Sequence, residues 1–518
     1  MLSAIAFALY LAASAGLLLY GLNCYVLLSL FSRKEKETRR RQLLAEETWH
    51  KAHPPSETDK LPKVTTQLPI YNELNVAERA IRAIAAFDYP PQLHQIQVLD
   101  DSTDETCELI ERVAAELREK GIWIDVVRRE IRTGYKAGAL ADAMPAAHGE
   151  FIAIFDADFV PATDFLQSLL PHFSTEKIGL VQARWSHLNR EESFLTRAQS
   201  LGIDGHFAIE QTARSANHLF LNFNGTAGIW RRSAIEDAGG WTADTLTEDL
   251  DLSYRAQLKG WHLEYVPHVV VPAEIPGTYS AFKSQQFRWA KGSIQTAIKL
   301  LPKIFASDLS PFAKLQTIFH LCNYVAHPLM LAAALLALPA LKYLGGELPD
   351  IWVLVFAAPL SAATLGPTVL YTCSQRYLYP LTWKSRVFLL PALVLVGFGI
   401  CISNTRAVLE AILGIKSGFI RTPKRGSKLS KTYKTSVSLI PILEISAAAY
   451  CVATLLIYGR NGEFGIFPFL ILYVLGFSLV GLSSLWEQFM ERGFLSRFPK
   501  LRSSFRHVPD KSDRQNAG

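Results

Sequence analysis

Phe151-Ile-Ala-Ile-Phe-Asp156-Ala-Asp158 is a short apolar run that stops at two carboxylates. A run of this length, without charge until its end, reads as a buried strand. Four more runs resemble it: Val64–Leu68, Gln95–Leu99, Trp123–Val127 and Gly179–Gln182. Helical patterns separate them. Their apolar character on both faces fits a sheet sandwiched between helices, so residues 33–313 read as an α/β domain. At the strand end, Asp156 and Asp158 stand two positions apart. That spacing lets both carboxylates reach one divalent cation that also touches a diphosphate. Hard oxygen ligands suit Mg2+ or Mn2+. Alone, such a pair is common and says little.

Other residues around it carry the same chemistry. Upstream, Ile96-Gln-Val-Leu-Asp100-Asp101-Ser-Thr-Asp104 is a second strand running into acids. Asp104 reads as a helix cap. Asp100 or Asp101 would hold a base, a ribose or a metal. Lys136 follows within Gly134-Tyr-Lys-Ala-Gly138, a lone cation among small residues that would meet a phosphate. Downstream, Thr247-Glu248-Asp249 opens a helix, where the dipole favours carboxylates. One of these acids would serve as a general base. Finally, Gln285-Gln-Phe-Arg288-Trp289 offers a phosphate-binding cation and a flat face for a sugar ring, on an amphipathic stretch at 279–301 that suits an interface helix.

The rest of the 518 residues reads as membrane. Hydrophobic residues make up 49% and charged ones 19%, and mean hydropathy is +0.15. Residues 3–32 carry no Asp, Glu, Lys or Arg and exceed the ~20 residues a span needs. Met1-Leu2 supplies no basic region for a signal peptide, so a retained helix is expected over 1–32. The basic run from Arg33 to Arg41 places its end in the cytoplasm. Apolar runs return at 315–341, 351–375, 387–405, 435–459 and 464–486. The loop 414–434 holds Lys416, Arg421, Lys424, Arg425, Lys428, Lys431 and Lys434 with no acid, so it also belongs inside. Five crossings satisfy this if 386–413 lies at the interface or re-enters: 1–32, two within 314–375 and two within 435–486, with a cytoplasmic basic tail over 487–518. A six-span count is the alternative. The six cysteines show no CxxC spacing and read as reduced packing residues. The net charge of +6 sits in a few loops, which argues against nucleic-acid binding.

Taken in order, Asp100/Asp101, Lys136, Asp156-x-Asp158, Thr247-Glu-Asp249 and Gln285-x-x-Arg-Trp289 resemble the motif series of the processive family 2 glycosyltransferases, the cellulose, hyaluronan, chitin and mannan synthases. The resemblance runs from about Thr66 to Lys434. It is strongest to the plant cellulose-synthase-like A and C groups, through Gln67-Leu-Pro-Ile-Tyr71-Asn-Glu73, His206-Phe-x-x-Glu210-Gln211, Phe223-Asn-Gly-Thr-Ala-Gly-Ile-Trp230 and Ala238-Gly-Gly-Trp241. It implies a GT-A (Rossmann-like) α/β catalytic domain joined to α-helical transmembrane segments. Tyr71 and Glu73 would contact the base, Asp100 and Asp101 the nucleotide, and Lys136 the diphosphate. Asp156 and Asp158 would bind nucleotide and metal. Asp249 would be the base, supported by Glu248. Phe223, Asn224, Gly225 and Thr226, with His206, would border the acceptor sugar. Gln285, Arg288 and Trp289 would bind diphosphate and acceptor, and Trp289 would stack on the chain. Arg421-Thr422-Pro-Lys424 is similar to a gating loop, so Thr422 and Lys424 would close over the nucleotide. Ala290-Lys291-Gly292 departs from the Ser-Cys-Gly usual in the plant mannan group.

The expected activity is inverting transfer of hexose from UDP-glucose or GDP-mannose, with Mg2+ or Mn2+, onto a growing β-linked glycan that passes into the bilayer. Single addition to a lipid acceptor is the enzymatic alternative. A transporter with a regulatory soluble domain is the alternative of another class, disfavoured because the spans hold few ionisable residues.

Overall fold

The computed structural model describes residues 2–54, 60–343, 350–416 and 438–491. Seven strands form one mixed sheet in the order β3-β2-β1-β4-β6-β5-β7. They are β1 (Val64–Ile70), β2 (His94–Asp100), β3 (Ile124–Arg128), β4 (Phe151–Ile154), β5 (Ile178–His187), β6 (Gly228–Arg231) and β7 (His262–Ala273). The first four strands of the chain pair in parallel through right-sized helical connections, and β6 runs antiparallel between β4 and β5. Alternation along β4 splits the core. Phe151 and Ala153 join one buried cluster with Val64, Leu68 and Phe155, and Ile152 and Ile154 join another with Leu140 and Trp230. Both faces are therefore covered, as the apolar runs require.

The sheet centre is less apolar than its sequence suggests. Thr65, Thr66, Gln67, Gln95 and Gln97 are all buried. Four of them pair across the strands, Thr65 donating to Gln95 at 2.8 Å and Gln67 to Gln97 at 3.0 Å, and Thr66 bonds to His94 at 2.8 Å. Two strands escape the pattern reading. β6 has only four residues behind a glycine. β7 carries Pro267, and its pairing with β5 slips between Ala183 and Arg184. There Arg184 Nε donates to the Pro267 carbonyl at 2.9 Å, taking up an acceptor at the break.

The N-terminal helix runs well past Ser32, from Leu2 to Ala52. Its charged half lies along β7, where Arg41 pairs with Glu264 at 2.8 Å and Gln42 donates to the Tyr265 carbonyl at 2.8 Å. By length and composition, four helices among the described residues can cross a membrane: Ser3–Ala52, Asn323–Ala340, Ile440–Arg460 and Phe467–Met490. Trp383–Gly399 and Cys401–Ile412 form a pair bent by 45°. That bend falls in the segment expected to lie at the interface or re-enter. A 29-residue helix, Asp350–Leu378, packs beside the N-terminal one.

Candidate functional site

The parallel strands β1, β2 and β4 end on the same side of the sheet, and loops following their C-terminal ends line one cleft. This is where open α/β sheets place their ligands. The cavity has a volume of about 190 Å3. Tyr71, Glu73, Asp101, Lys136, Asp156, Asp158, Asn224, Gly225, Glu248, Asp249, Gln285, Arg288 and Trp289 all line it. Residues spread over more than two hundred positions of sequence thus meet at one place.

Local backbone explains how. Gly134 and Tyr135 both take left-handed conformations, at φ 68° and 51°. This sharp entry starts the helix Tyr135–Ala143 and aims Lys136 at the cleft. Lys136 Nζ donates to Asp156 Oδ1 and, at 2.7 Å, to the Gly225 carbonyl. On the other side, Thr226 Oγ1 accepts the Asp156 N–H at 2.9 Å. Gly225 and Ala227 are left-handed as well, at φ 81° and 56°. Glu248 and Asp249 begin the helix Glu248–Leu258, and Asp249 Oδ1 accepts the Leu250 N–H at 2.8 Å.

The electrostatics are set by crowding. Asp156, Asp158, Glu248 and Asp249 face only Lys136 and Arg288 as cations among the residues named above. Burial, and then the Glu248 carboxylate, push Asp249 up to about 7. Burial also raises Glu248, with Asp156 adding to it. For Lys136 burial opposes the charge, but Asp156 and Glu248 outweigh it and raise the pKa. Burial lowers Arg288 against the pull of Glu248, Asp156, Asp249 and Asp158. Opposed perturbations of this kind in a cleft make it a candidate for a site that moves protons.

Four residues expected at the site stand outside its lining. Asp100 is buried; its oxygens accept the Ser102 N–H at 3.0 Å and Arg128 Nε at 2.9 Å, so it braces the strand end. Asp101, one position on, faces the cleft instead. Asp100→Asn should therefore lower Tm, by an amount worth about 1–2 kcal/mol, while activity per folded molecule is retained; thermal denaturation beside an activity assay checks this. Phe223 is fully buried and packs edge-on to Trp230. Thr226 is buried beneath Asp156. His206 sits on a turn of π-helix, between Glu210 at 3.0 Å and Asn224 at 3.1 Å. It reaches the cleft only through Asn224. Thr422 and Lys424 lie outside the described residues.

Nothing in the residue pattern singles out Arg129 or Arg132, yet both serve the site. Arg129 holds Asp101 with two nitrogens, at 2.5 and 3.0 Å. The Arg132 guanidinium lies 3.5 Å over the Tyr71 ring and lines the cleft with it. Away from the cleft, Glu46, His172 and His268 form a cluster of ligand-type side chains. Arg39 approaches both His268 ring nitrogens, at 2.6 and 3.0 Å, so a guanidinium already brings positive charge there.

The chain is similar to several known proteins. Residues 62–292 match the family "Glycosyltransferase like family 2". A glucomannan 4-beta-mannosyltransferase 1 of Cyamopsis tetragonoloba is 41% identical over 277 residues, 52% of this chain and 53% of that protein. One from Oryza sativa subsp. japonica is 40% identical over 294 residues, 55% of this chain and 56% of that protein. The chain thus spans about half the length of the curated relatives it matches. A solved mannosyltransferase from Pyrobaculum calidifontis, in complex with GDP-mannose and Mn2+, is 21% identical with a TM-score of 0.47, covering 80% of this chain and all of that one. The cleft built by β1, β2, β4 and their loops lies within residues 62–292, the segment that matches this family.

Proposed function

We propose that this chain is a membrane-bound, inverting β-hexosyltransferase that extends a polysaccharide of mannan, glucomannan or glucan type. One observation carries the reading: in the segment that matches family 2, seven acids and three cations line one cleft, and burial pushes the acid at a helix start up to about 7. A base poised near neutrality suits the removal of a hydroxyl proton.

In this mechanism Asp249 Oδ takes the proton of the acceptor hydroxyl. The acceptor oxygen forms a bond to the anomeric carbon from one face while the carbon–oxygen bond to the diphosphate breaks on the other, inverting the centre. The bonding pair leaves on the diphosphate, where Lys136 and Arg288 stabilise it. Asp156 and Asp158 would hold a divalent cation; the excess of carboxylates, which raises Glu248 and Asp249, is the charge such a cation would balance. Bound there, Mg2+ or Mn2+ would supply Lewis-acid stabilisation of the leaving diphosphate. Tyr71, under Arg132, offers a flat surface for the nucleoside base, and Asp101, held by Arg129, an acceptor for its ribose. Asn224 and Gly225 border the acceptor's terminal sugar, with His206 behind Asn224. Trp289 offers a face for that sugar.

The names of the plant relatives favour a mannosyl donor, so GDP-mannose is the first to test, with UDP-glucose beside it. The basic run from Arg33 to Arg41 supports a catalytic domain on the cytoplasmic side, with the glycan passing outward among the apolar helices. The test is purified protein in nanodiscs with Mn2+ and each labelled donor in turn. The expected product is a long alkali-insoluble polymer cut by an endo-β-mannanase or endo-β-glucanase, whose synthesis stops with chelator and returns with Mn2+ or Mg2+. A single-sugar product that extracts into organic solvent would overturn the polymerase reading.

A further inference from the structure

One helix, Tyr279–Phe305, controls both ends of the cleft. It carries Gln285, Arg288 and Trp289 directly. It also supports the turn that bears Asp249. Gly292 lies against Thr247 so closely that a Cβ there would stand 2.5 Å from Thr247 Cγ2. Gln295 Oε1 accepts the Leu246 N–H at 3.0 Å. Lys299 bridges Asp244 and Asp251, each at 2.8 Å. A shift of this helix would therefore move the phosphate-facing and base-bearing groups together.

Three contacts from the C-terminal apolar half tether the helix. Glu487 accepts the N–H groups of Tyr279 and Ser280 at its start, at 2.7 and 2.9 Å. Lys283 meets Glu444 at 3.0 Å. Lys291, whose side chain has no exposed surface, donates to Glu410 at 2.7 Å, and Arg406 donates to the other Glu410 oxygen at 2.7 Å. Glu410 belongs to Cys401–Ile412, the second half of the bent pair. Lys291 follows Arg288 by three positions, so the two side chains are neighbours on the helix surface. A buried pair of this kind adds little net stability over an apolar pair of the same size, but it fixes one relative placement, and losing one partner strands a charge.

We propose that Lys291 and Glu410 are positioning residues that hold the Arg288–Trp289 turn at the donor diphosphate, so that the bent C-terminal helix pair sets how tightly the cleft grips that group. This rests on reading the cleft as a sugar-nucleotide site. The probe is calorimetric binding of GDP against GMP, and UDP against UMP, to the full chain in nanodiscs with Mn2+. Lys291→Met and Glu410→Gln are each expected to cut the preference for diphosphate over monophosphate at least about tenfold, the scale of a lost charge-assisted contact. The Lys291→Met/Glu410→Gln double variant strands no buried charge at this pair and is expected to fold. It should lose at least about threefold of that preference, because the register is no longer fixed. Arg288→Ala is the control and should cut the preference more than either single variant, with Lys136 still in place. If Arg288→Ala does so while the double variant keeps the wild-type ratio, the pair has no positioning role. If Arg288→Ala also keeps the ratio, it is the reading of the cleft that fails.

Discussion

Asp249→Asn is expected to reduce transfer about a thousandfold while leaving nucleotide binding within a few-fold of the wild type. The amide is nearly the same shape and can still accept the Leu250 N–H. It cannot take the proton of the acceptor hydroxyl. An Asp249→Asn variant that still transfers hexose at a tenth of the normal rate would remove Asp249 from the base role. Steady-state kinetics beside nucleotide calorimetry separate the two effects.

The raised pKa of Asp249 adds a second, independent signature. The base must be ionised to act, so kcat/KM of the wild type should fall on the acid side with a midpoint no higher than about 7, because a cation in the cleft would draw the Asp249 carboxyl down from there. Stability should run the other way. A carboxyl whose folded pKa is raised binds more protons folded than unfolded over that window. Its contribution is present at low pH and is lost as pH rises from the ordinary carboxylate range through about 7. Above pH 7 the wild type carries a buried, crowded charge that Asp249→Asn lacks. The inactive variant should therefore have the higher Tm at pH 8, and the difference should shrink towards pH 5. A variant less stable than the wild type at both pH values would contradict the crowding of Glu248 and Asp249.

How much of this was legible follows from what each signal can encode. Five strands are visible as short, mostly apolar runs because both faces of the sheet are covered, although β1 and β2 also bury polar residues such as Gln67 and Gln97. β6 is too short to carry a period, and the prolines in β7 mimic a loop, since neither the pairing partner nor the slip at Pro267 is written locally. The span 1–32 is marked by the absence of charge, but charge does not end a helix. Residues 33–52 contain no Pro or Gly and are rich in Glu, Lys and Arg, good helix formers, so the helix continues to Ala52. At the site, the order of acids was readable because strand ends and helix starts are where carboxylates do chemistry. The choice between Asp100 and Asp101 was not. Neighbouring residues at a strand end point to opposite sides, and only the tertiary structure says which side is open. Arg129 and Arg132 matter through contacts with Asp101 and Tyr71, which lie far away in sequence. Likewise Lys291 looks like a departure from a motif until Glu410 is seen beside it.

Gly225→Ala should cost more activity than any other substitution of a single methyl group at the cleft. At φ 81°, Gly225 holds a conformation that alanine adopts only with strain. That cost is about 1 kcal/mol and would appear as a modest fall in Tm. The larger effect is placement. A Cβ on residue 225 would stand 2.9 Å from Asp249 Oδ2 and 3.5 Å from Lys136 Nζ. Asp249 Oδ2 cannot keep its position against it, while 3.5 Å leaves Lys136 in ordinary contact. Swinging the carboxylate away by about 1 Å weakens proton transfer, and misplacement on that scale costs about a hundredfold in rate. The Gly225 carbonyl also accepts from Lys136, so a twisted 225 peptide would loosen that ammonium as well. The expected result is a kcat about a hundredfold lower with a Tm within a few degrees of the wild type. Alanine at Gly121 is the matched control. It too has a left-handed φ, 79°, but a Cβ there meets nothing within 4 Å. Gly121→Ala should show the strain cost in Tm and normal turnover. If both variants lose turnover equally, backbone strain rather than contact with Asp249 is the cause, and the cleft's tolerance at Gly225 is wider than its geometry implies.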